Sequence, residues 1–216
     1  MKKNLKKRIW TSIALFLFLF FSFINNYILG YVLMIIALFS ILEFFGITTI
    51  ILKKHKIRKF FINSIFIFYI FYFCAAFLTL SSSLYLKILI FVILLTCVAS
   101  DIGGFVFGKI FKGPRLTKIS PRKTIFGAIG SLIFSATTAP FLIYYLTKDF
   151  ELYVIIVGLI TSISCQTGDL FFSFLKRKSL LKDTGNFLPG HGGILDRVDG
   201  ILLGMPLGFL TLLTIY

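Results

Sequence analysis

The chain has 216 residues, 58% of them hydrophobic and only 14% charged, with a mean hydropathy of +0.97. A soluble domain carries roughly 25% charged residues and could not cover so large an apolar core, while disorder needs low hydrophobicity. The apolar runs are long and continuous, not alternating segments of about ten residues, so a β-barrel is excluded as well; the fold class is all-α, a polytopic integral membrane protein.

About seven transmembrane helices are predicted in chain order, at roughly 9–25, 27–52, 60–80, 84–108, 124–147, 151–175 and 199–216, each near the ~20 residues a span needs. The start of the chain is basic and then apolar, as in a signal peptide. Phe23, Ile24, Asn25 and Asn26 make no small-residue cleavage site, so the stretch reads as a retained first helix. With the N-terminus placed in the cytoplasm, 21 of the 23 Lys and Arg residues fall on that side and only Lys87 and Lys148 on the other. That is the positive-inside pattern. The net charge of +15 therefore calls for no nucleic acid, and it attracts anionic lipid headgroups. Cys74, Cys97 and Cys165 all lie inside spans, without a CxxC pair, and read as packing residues.

The two halves differ. Residues 1–95 hold one acid, Glu43, and read as N-terminal scaffold helices. Residues 96–216 hold seven of the eight acids and four of the five prolines lie between 96 and 200; this half reads as the catalytic region, with cytoplasmic loops 109–123 and 176–198. Acids inside spans are costly and mark function by default. Asp101 lies beside Gly104 and Gly108, one helical turn apart, a small face for close helix packing; a polar pair within that packing is the competing reading. Asp169, Ser173 and Lys176 share a helix face at i, i+4 and i+7, where a buried salt bridge competes. Glu43 stays open between a structural and a functional role.

The loop 109–123 runs into the next span through Lys118-Ile119-Ser120-Pro121-Arg122-Lys123-Thr124. Ser120 suits an N-cap and Pro121 a first helical residue, an expectation that would aim free N–H groups, Arg122 and Lys123 at a phosphate. Further on come Lys176-Arg177, Lys182-Asp183, Gly190-His191-Gly192-Gly193, Asp196-Arg197 and Asp199. The glycines can turn backbone N–H groups onto an anion. Asp196 and Asp199, at i and i+3, face one way on a helix. Paired carboxylates beside cations and an anion nest describe a metal–phosphate site, and Mg²⁺ commonly takes one or two carboxylates and leaves the rest to substrate phosphates.

Ser173, Lys176-Arg177, Lys182-Asp183, Gly185, Pro189, His191-Gly192-Gly193, Asp196-Arg197 and Asp199 fall at the spacing of a 27-residue signature. In this the chain resembles the phosphatidate cytidylyltransferase (CDP-diacylglycerol synthase) family. Asp101 with Gly103 and Gly108-Lys109, the 118–124 stretch with Gly127, and Gly168-Asp169-Leu170 resemble it too, so 96–200 is covered strongly and the N-terminal half weakly. Two departures stand out: Phe126, where the family often has Glu or Gln, and Phe172, where it often has Glu.

The resemblance implies a transferase that joins phosphatidic acid to CTP, releasing pyrophosphate, in a cell (inner) membrane with the active site at the cytoplasmic face. It implies Asp169, Asp196 and Asp199 around the metal with Asp101 in support. Lys176, Arg177 and Arg197 would meet the triphosphate, with Ser173, Lys182, Asp183, Gly192 and Gly193 beside it. Ser120, Arg122 and Lys123 would meet the lipid headgroup or CTP, and His191 would hydrogen-bond phosphate. It also implies Mg²⁺, a monovalent cation such as K⁺, membrane lipids as partners and a homodimer. The rivals are a CTP-dependent transferase or kinase for another lipid such as a polyprenol, an inactive homologue, and an anion transporter, which would place its acids at the bilayer midplane. The DG-x-x-AR motif of CDP-alcohol phosphotransferases is absent.

Overall fold

The computed structural model describes residues 14, 17, 18, 20–185, 187 and 192–215. Among them are six long helices: α1 (Asn26–Ile51), α2 (Lys56–Leu80), α3 (Leu84–Phe111), α4 (Ile125–Thr147), α5 (Val154–Lys178) and α6 (Leu195–Ile215). All six are long and apolar enough to cross a membrane, and described residues ahead of Asn25 are helical too. The multi-span helical membrane architecture is thus as expected from composition; of the first predicted span, 9–25, residues 9–13, 15, 16 and 19 lie outside the described residues.

The helix ends depart from the sequence reading where charge had bounded the spans. Helix α5 runs on through Lys176, Arg177 and Lys178, which occupy its last turn, where cations complement the exposed carbonyls. Helix α6 starts at Leu195 and carries Asp196 in its first turn, where a carboxylate is favoured for the converse reason. The expected loop 176–198 therefore loses 176–178 and 195–198 to the flanking helices, and Asp196, Arg197 and Asp199 are helical.

The chain divides into two compact units, Met1–Lys87 with Leu175–Val198 and Ile88–Phe174 with Asp199–Tyr216. In the first unit, the Asn25 side chain caps α1 by accepting from the Tyr27 N–H at 2.8 Å. Helices α1 and α2 are pinned by Phe44 stacked on Phe66, ring centroids 3.8 Å apart, and by a 2.8 Å bond from the Thr48 hydroxyl to Asn63 Oδ1.

In the second unit small residues let helices meet at backbone distance. A Cβ on Gly127 would stand 2.8 Å from the Gly104 carbonyl, and one on Gly130 would stand 2.7 Å from the Gly103 carbonyl. This α3–α4 contact is the small face expected beside Asp101. With no hydrophobic drive between helices in lipid, such close packing and interhelical hydrogen bonds do the joining. Here Ser131 donates to the Ser100 carbonyl at 2.7 Å, and the Ser100 and Ser162 hydroxyls bond at 2.8 Å, linking α3, α4 and α5. Cys97 and Cys165 are buried and free, in keeping with a packing role.

Candidate active site

The second unit holds a cavity of about 180 Å³ whose lining includes Asp101, Arg122, Lys123, Gln166 and Asp169. Its floor is the α3–α4 contact, with Gly104, Gly127 and Ser131. One side is the loop after α3, which doubles back on itself. Leu116 N–H donates to the Lys123 carbonyl at 2.8 Å and Ile125 N–H to Pro114 at 3.0 Å. Lys123 N–H closes a turn onto the Ser120 carbonyl at 3.0 Å, with Pro121 at the second position, where its fixed φ is favoured.

That geometry corrects the expected helix start. Thr124, not Ser120, caps α4, accepting from the Gly127 N–H at 3.1 Å. A helix beginning at Pro121 would lose the fold-back that carries Lys123 to the cavity. Ser120 sits in the turn and does not line the cavity.

Lys123 Nζ meets Asp169 Oδ2 at 2.7 Å, the two side chains 30% and 22% exposed. A partly screened pair of this kind contributes less than a buried one, so it is loosely committed and can be turned to a ligand. Asp169 also sits at a close contact of α5 with α6 within this unit. A Cβ on Gly200 would stand 2.8 Å from its Oδ1, and a Cβ on Gly168 would stand 2.7 Å from the Asp199 carbonyl. Asp199 follows on α6, its Oδ1 accepting from the Gly200 N–H at 3.0 Å, and Ser173 lies half-buried one turn beyond Asp169.

The first unit gathers a second set. Lys176 Nζ bonds Asp196 Oδ1 at 2.7 Å, both side chains nearly buried. Asp196 Oδ2 accepts from the N–H groups of Thr184 at 2.8 Å and Gly193 at 3.0 Å. Glu43, reaching from α1, accepts from Ile194 N–H at 2.9 Å, Leu195 N–H at 2.9 Å and the Thr184 hydroxyl at 2.6 Å. Gly192 has φ +83°, a conformation that strains any residue with a Cβ. A Cβ on Gly193 would collide with the Thr184 hydroxyl and the Glu43 carboxylate.

Of the phosphate nest expected from Gly190-His191-Gly192-Gly193, the Gly193 amide is thus taken by one of the chain's own carboxylates, and the two amides that follow it by another. The N–H of Gly193 goes to Asp196, and those of Ile194 and Leu195 go to Glu43. Arg177, Lys182, Asp183 and Arg197 are exposed in this unit. His191 lies outside the described residues.

Asp169 pairs with Lys123, and Lys176 with Asp196, so the helix-face pairing of Asp169 with Lys176 does not form. Phe126 and Phe172 do not line the cavity. Phe126 packs on Phe111, centroids 5.7 Å apart, and Phe172 is buried at 3% exposure. Sequence reasoning passed over Gln166, whose amide bonds the Ala128 carbonyl at 3.3 Å and Ser162 at 3.2 Å beside the cavity. Applying the costly-polar rule to amides as well as acids would have found it. It also missed Thr184.

A family model described as the cytidylyltransferase family matches residues 1–215. The phosphatidate cytidylyltransferase of Rickettsia felis is 37% identical over 128 residues, 55% of this chain and 56% of that protein. That of Rickettsia prowazekii is 38% identical over 144 residues, 62% and 61% of the two chains, and that of Helicobacter pylori 37% over 112 residues, 52% and 42%. The chain spans about half the length of the curated relatives it matches.

Proposed function

The chain belongs to the cytidylyltransferase family, and from that premise we propose that it condenses phosphatidic acid with CTP, giving CDP-diacylglycerol and pyrophosphate for phospholipid synthesis. The observation that carries this reading is the ion-lined cavity of the second unit: Asp101, Arg122, Lys123 and Asp169 around a small space in an otherwise apolar helical body. The names of the matched relatives support the choice of phosphatidate as acceptor.

In this reaction an oxygen of the lipid phosphate bonds to the α-phosphorus of CTP, and the bond from that phosphorus to the departing pyrophosphate breaks. The lipid phosphate is already ionised, so no residue need take a proton from it. The obstacle is repulsion between two polyanions, which positioning and charge stabilisation overcome. Arg122 and Lys123 are proposed to hold phosphate at the cavity, Lys123 exchanging its bond to Asp169 for one to substrate. Lys176, Arg177 and Arg197 are proposed for the triphosphate, with Ser120, Ser173, Lys182, Asp183, Gly192 and Gly193 as substrate neighbours and His191 as a phosphate hydrogen-bond donor.

The donor set suits Mg²⁺. Asp101 and Asp169 line the cavity. That is the pattern of an ion that takes one or two carboxylates and completes its shell with phosphate and water. Asp169 is the proposed ligand, with Asp196, Asp199 and Asp101 as further candidates; bound there, the ion would neutralise charge on the phosphates. A monovalent cation such as K⁺ and a homodimer are proposed on the family resemblance. The distribution of Lys and Arg supports a cytoplasmic site on the cell (inner) membrane.

The test is Mg²⁺-dependent conversion of labelled CTP and phosphatidic acid into a CDP-lipid by purified protein, with Asp169→Asn as control. Product from the wild type and none from the variant is expected. A folded protein that binds CTP yet makes no product would overturn phosphatidate as acceptor and point to another lipid such as a polyprenol. A protein that binds no CTP would be an inactive homologue.

A further inference from the structure

We infer that Glu43 is a positioning residue for the Lys176–Asp196 pair, acting through Thr184 on one side and the Gly193-Ile194-Leu195 stretch on the other. The turnover half of this inference rests on the proposed transfer reaction; the structural half does not. The argument lies within the first unit. Both oxygens of the Glu43 carboxylate are used: Oε1 by Ile194 N–H, Oε2 by Leu195 N–H and the Thr184 hydroxyl. Asp196 grips the same two stretches from its own side, through the N–H groups of Thr184 and Gly193. Thr184 is therefore held twice, its hydroxyl by Glu43 and its amide by Asp196.

The two glycines nearest Glu43 leave no slack. A Cβ on Gly185 would stand 2.7 Å from Glu43 Oε1, and one on Gly193 would collide with Oε2. Glu43 is also placed to cap α6, because the amides that donate to it lie at the start of that helix, where a negative charge is favoured. It touches neither Lys176 nor Asp196. Its effect on them is the fixing of the backbone that Asp196 binds.

The test uses Glu43→Gln, Glu43→Asp and Thr184→Val in the full-length protein in lipid nanodiscs. Single-amide hydrogen exchange and steady-state CTP kinetics are read side by side. Glutamine offers one acceptor oxygen where the carboxylate offers two, so exchange at Ile194 and Leu195 should accelerate by about tenfold or more, the scale of a lost bond to a charged group.

The deciding amides are Thr184 and Gly193, which bond Asp196. If Glu43 positions that pair, they accelerate too, kcat falls by about tenfold and KM for CTP changes little. Glu43→Asp, which keeps the charge on a shorter stem, should recover part of both effects. Thr184→Val removes one bond and leaves the charge, so it gives a smaller effect of the same sign even if Glu43→Gln does not fold. Acceleration confined to Ile194 and Leu195, no acceleration at all, or faster exchange at all four amides with unchanged kcat would each overturn the inference. A wild type that transfers no cytidylyl group would defeat the proposed reaction, while exchange at Thr184 and Gly193 would still decide the positioning.

Discussion

Replacing Gly104 by Ala tests whether the cavity floor is built by backbone-distance packing. The added Cβ would stand 2.6 Å from Ser131 Oγ, whereas its next neighbours, the Gly127 carbonyl and Ser131 Cβ, are at 3.6 and 3.9 Å. The conflict is with one atom, closer by about 0.8 Å than ordinary contact allows. That atom is not free to swing away at no cost, because it donates to the Ser100 carbonyl at 2.7 Å. Overpacking of this kind costs about 1–3 kcal/mol, against roughly 1 kcal/mol regained from the better helix propensity of Ala.

Ser131→Ala alone loses one interhelical bond, worth about 0.6 kcal/mol in a membrane protein. The double variant Gly104→Ala/Ser131→Ala removes the clashing oxygen and should be at least as stable as Ser131→Ala, a coupling of about 1–3 kcal/mol by the double-mutant cycle. Cys97 and Cys165, 1% and 2% exposed in this same unit, make a thiol-reactive dye a direct reporter of its melting. Additive losses in the double variant would refute the reasoning.

Three further outcomes are expected. Lys123→Ala should lower CTP-dependent turnover by about a hundredfold, the scale of losing one preorganised charge-stabilising donor, while the dye-reported melting shifts by no more than about 1 kcal/mol, because the Lys123–Asp169 pair is partly exposed. Gly193→Ala should drive the Thr184 hydroxyl and Glu43 apart; trypsin cleavage at the exposed Lys182 is the readout, and it should accelerate. Lys87→Met removes a cation that is only 6% exposed and bonds Asn26 Oδ1 at 2.7 Å. Its stability should stay within about 1 kcal/mol of the wild type, or rise, since relief of a buried charge offsets the lost bond, and its turnover should not change.

The spans were open to sequence reading because a membrane demands about 20 apolar residues wherever the chain crosses it. The small face beside Asp101 was open for a similar reason, since Gly at one-turn spacing has few other uses in a helix. Helix ends were not. Charge marks where apolar sequence stops, but Lys176 and Arg177 occupy the last turn of α5, where cations are favoured, and Asp196 lies in the first turn of α6. Ser120 and Thr124 are both good caps by local rules. The choice fell to Thr124 because the loop folds back through Leu116 and Lys123, a pairing no local window contains.

Glu43 shows the same limit more sharply. Its partners lie 141 to 152 residues away, so an isolated acid in an early span carried no sign of its role. By sequence, the signature between Ser173 and Asp199 reads as a row of phosphate and metal contacts. Gly192 holds a backbone angle that only glycine adopts without strain, and Gly193 leaves room for Thr184 and Glu43. Those two positions shape the chain around its own carboxylates. The same carboxylates explain how three neighbouring amides can be held at Gly193, Ile194 and Leu195, which are buried. Each N–H from Gly193 to Leu195 already has an anionic acceptor, and leaving it without one would cost more than the bond gains. A phosphate entering this unit would have to displace Glu43 or Asp196 to reach those amides. The cations Arg177, Lys182 and Arg197, which stand exposed, are the easier targets for it.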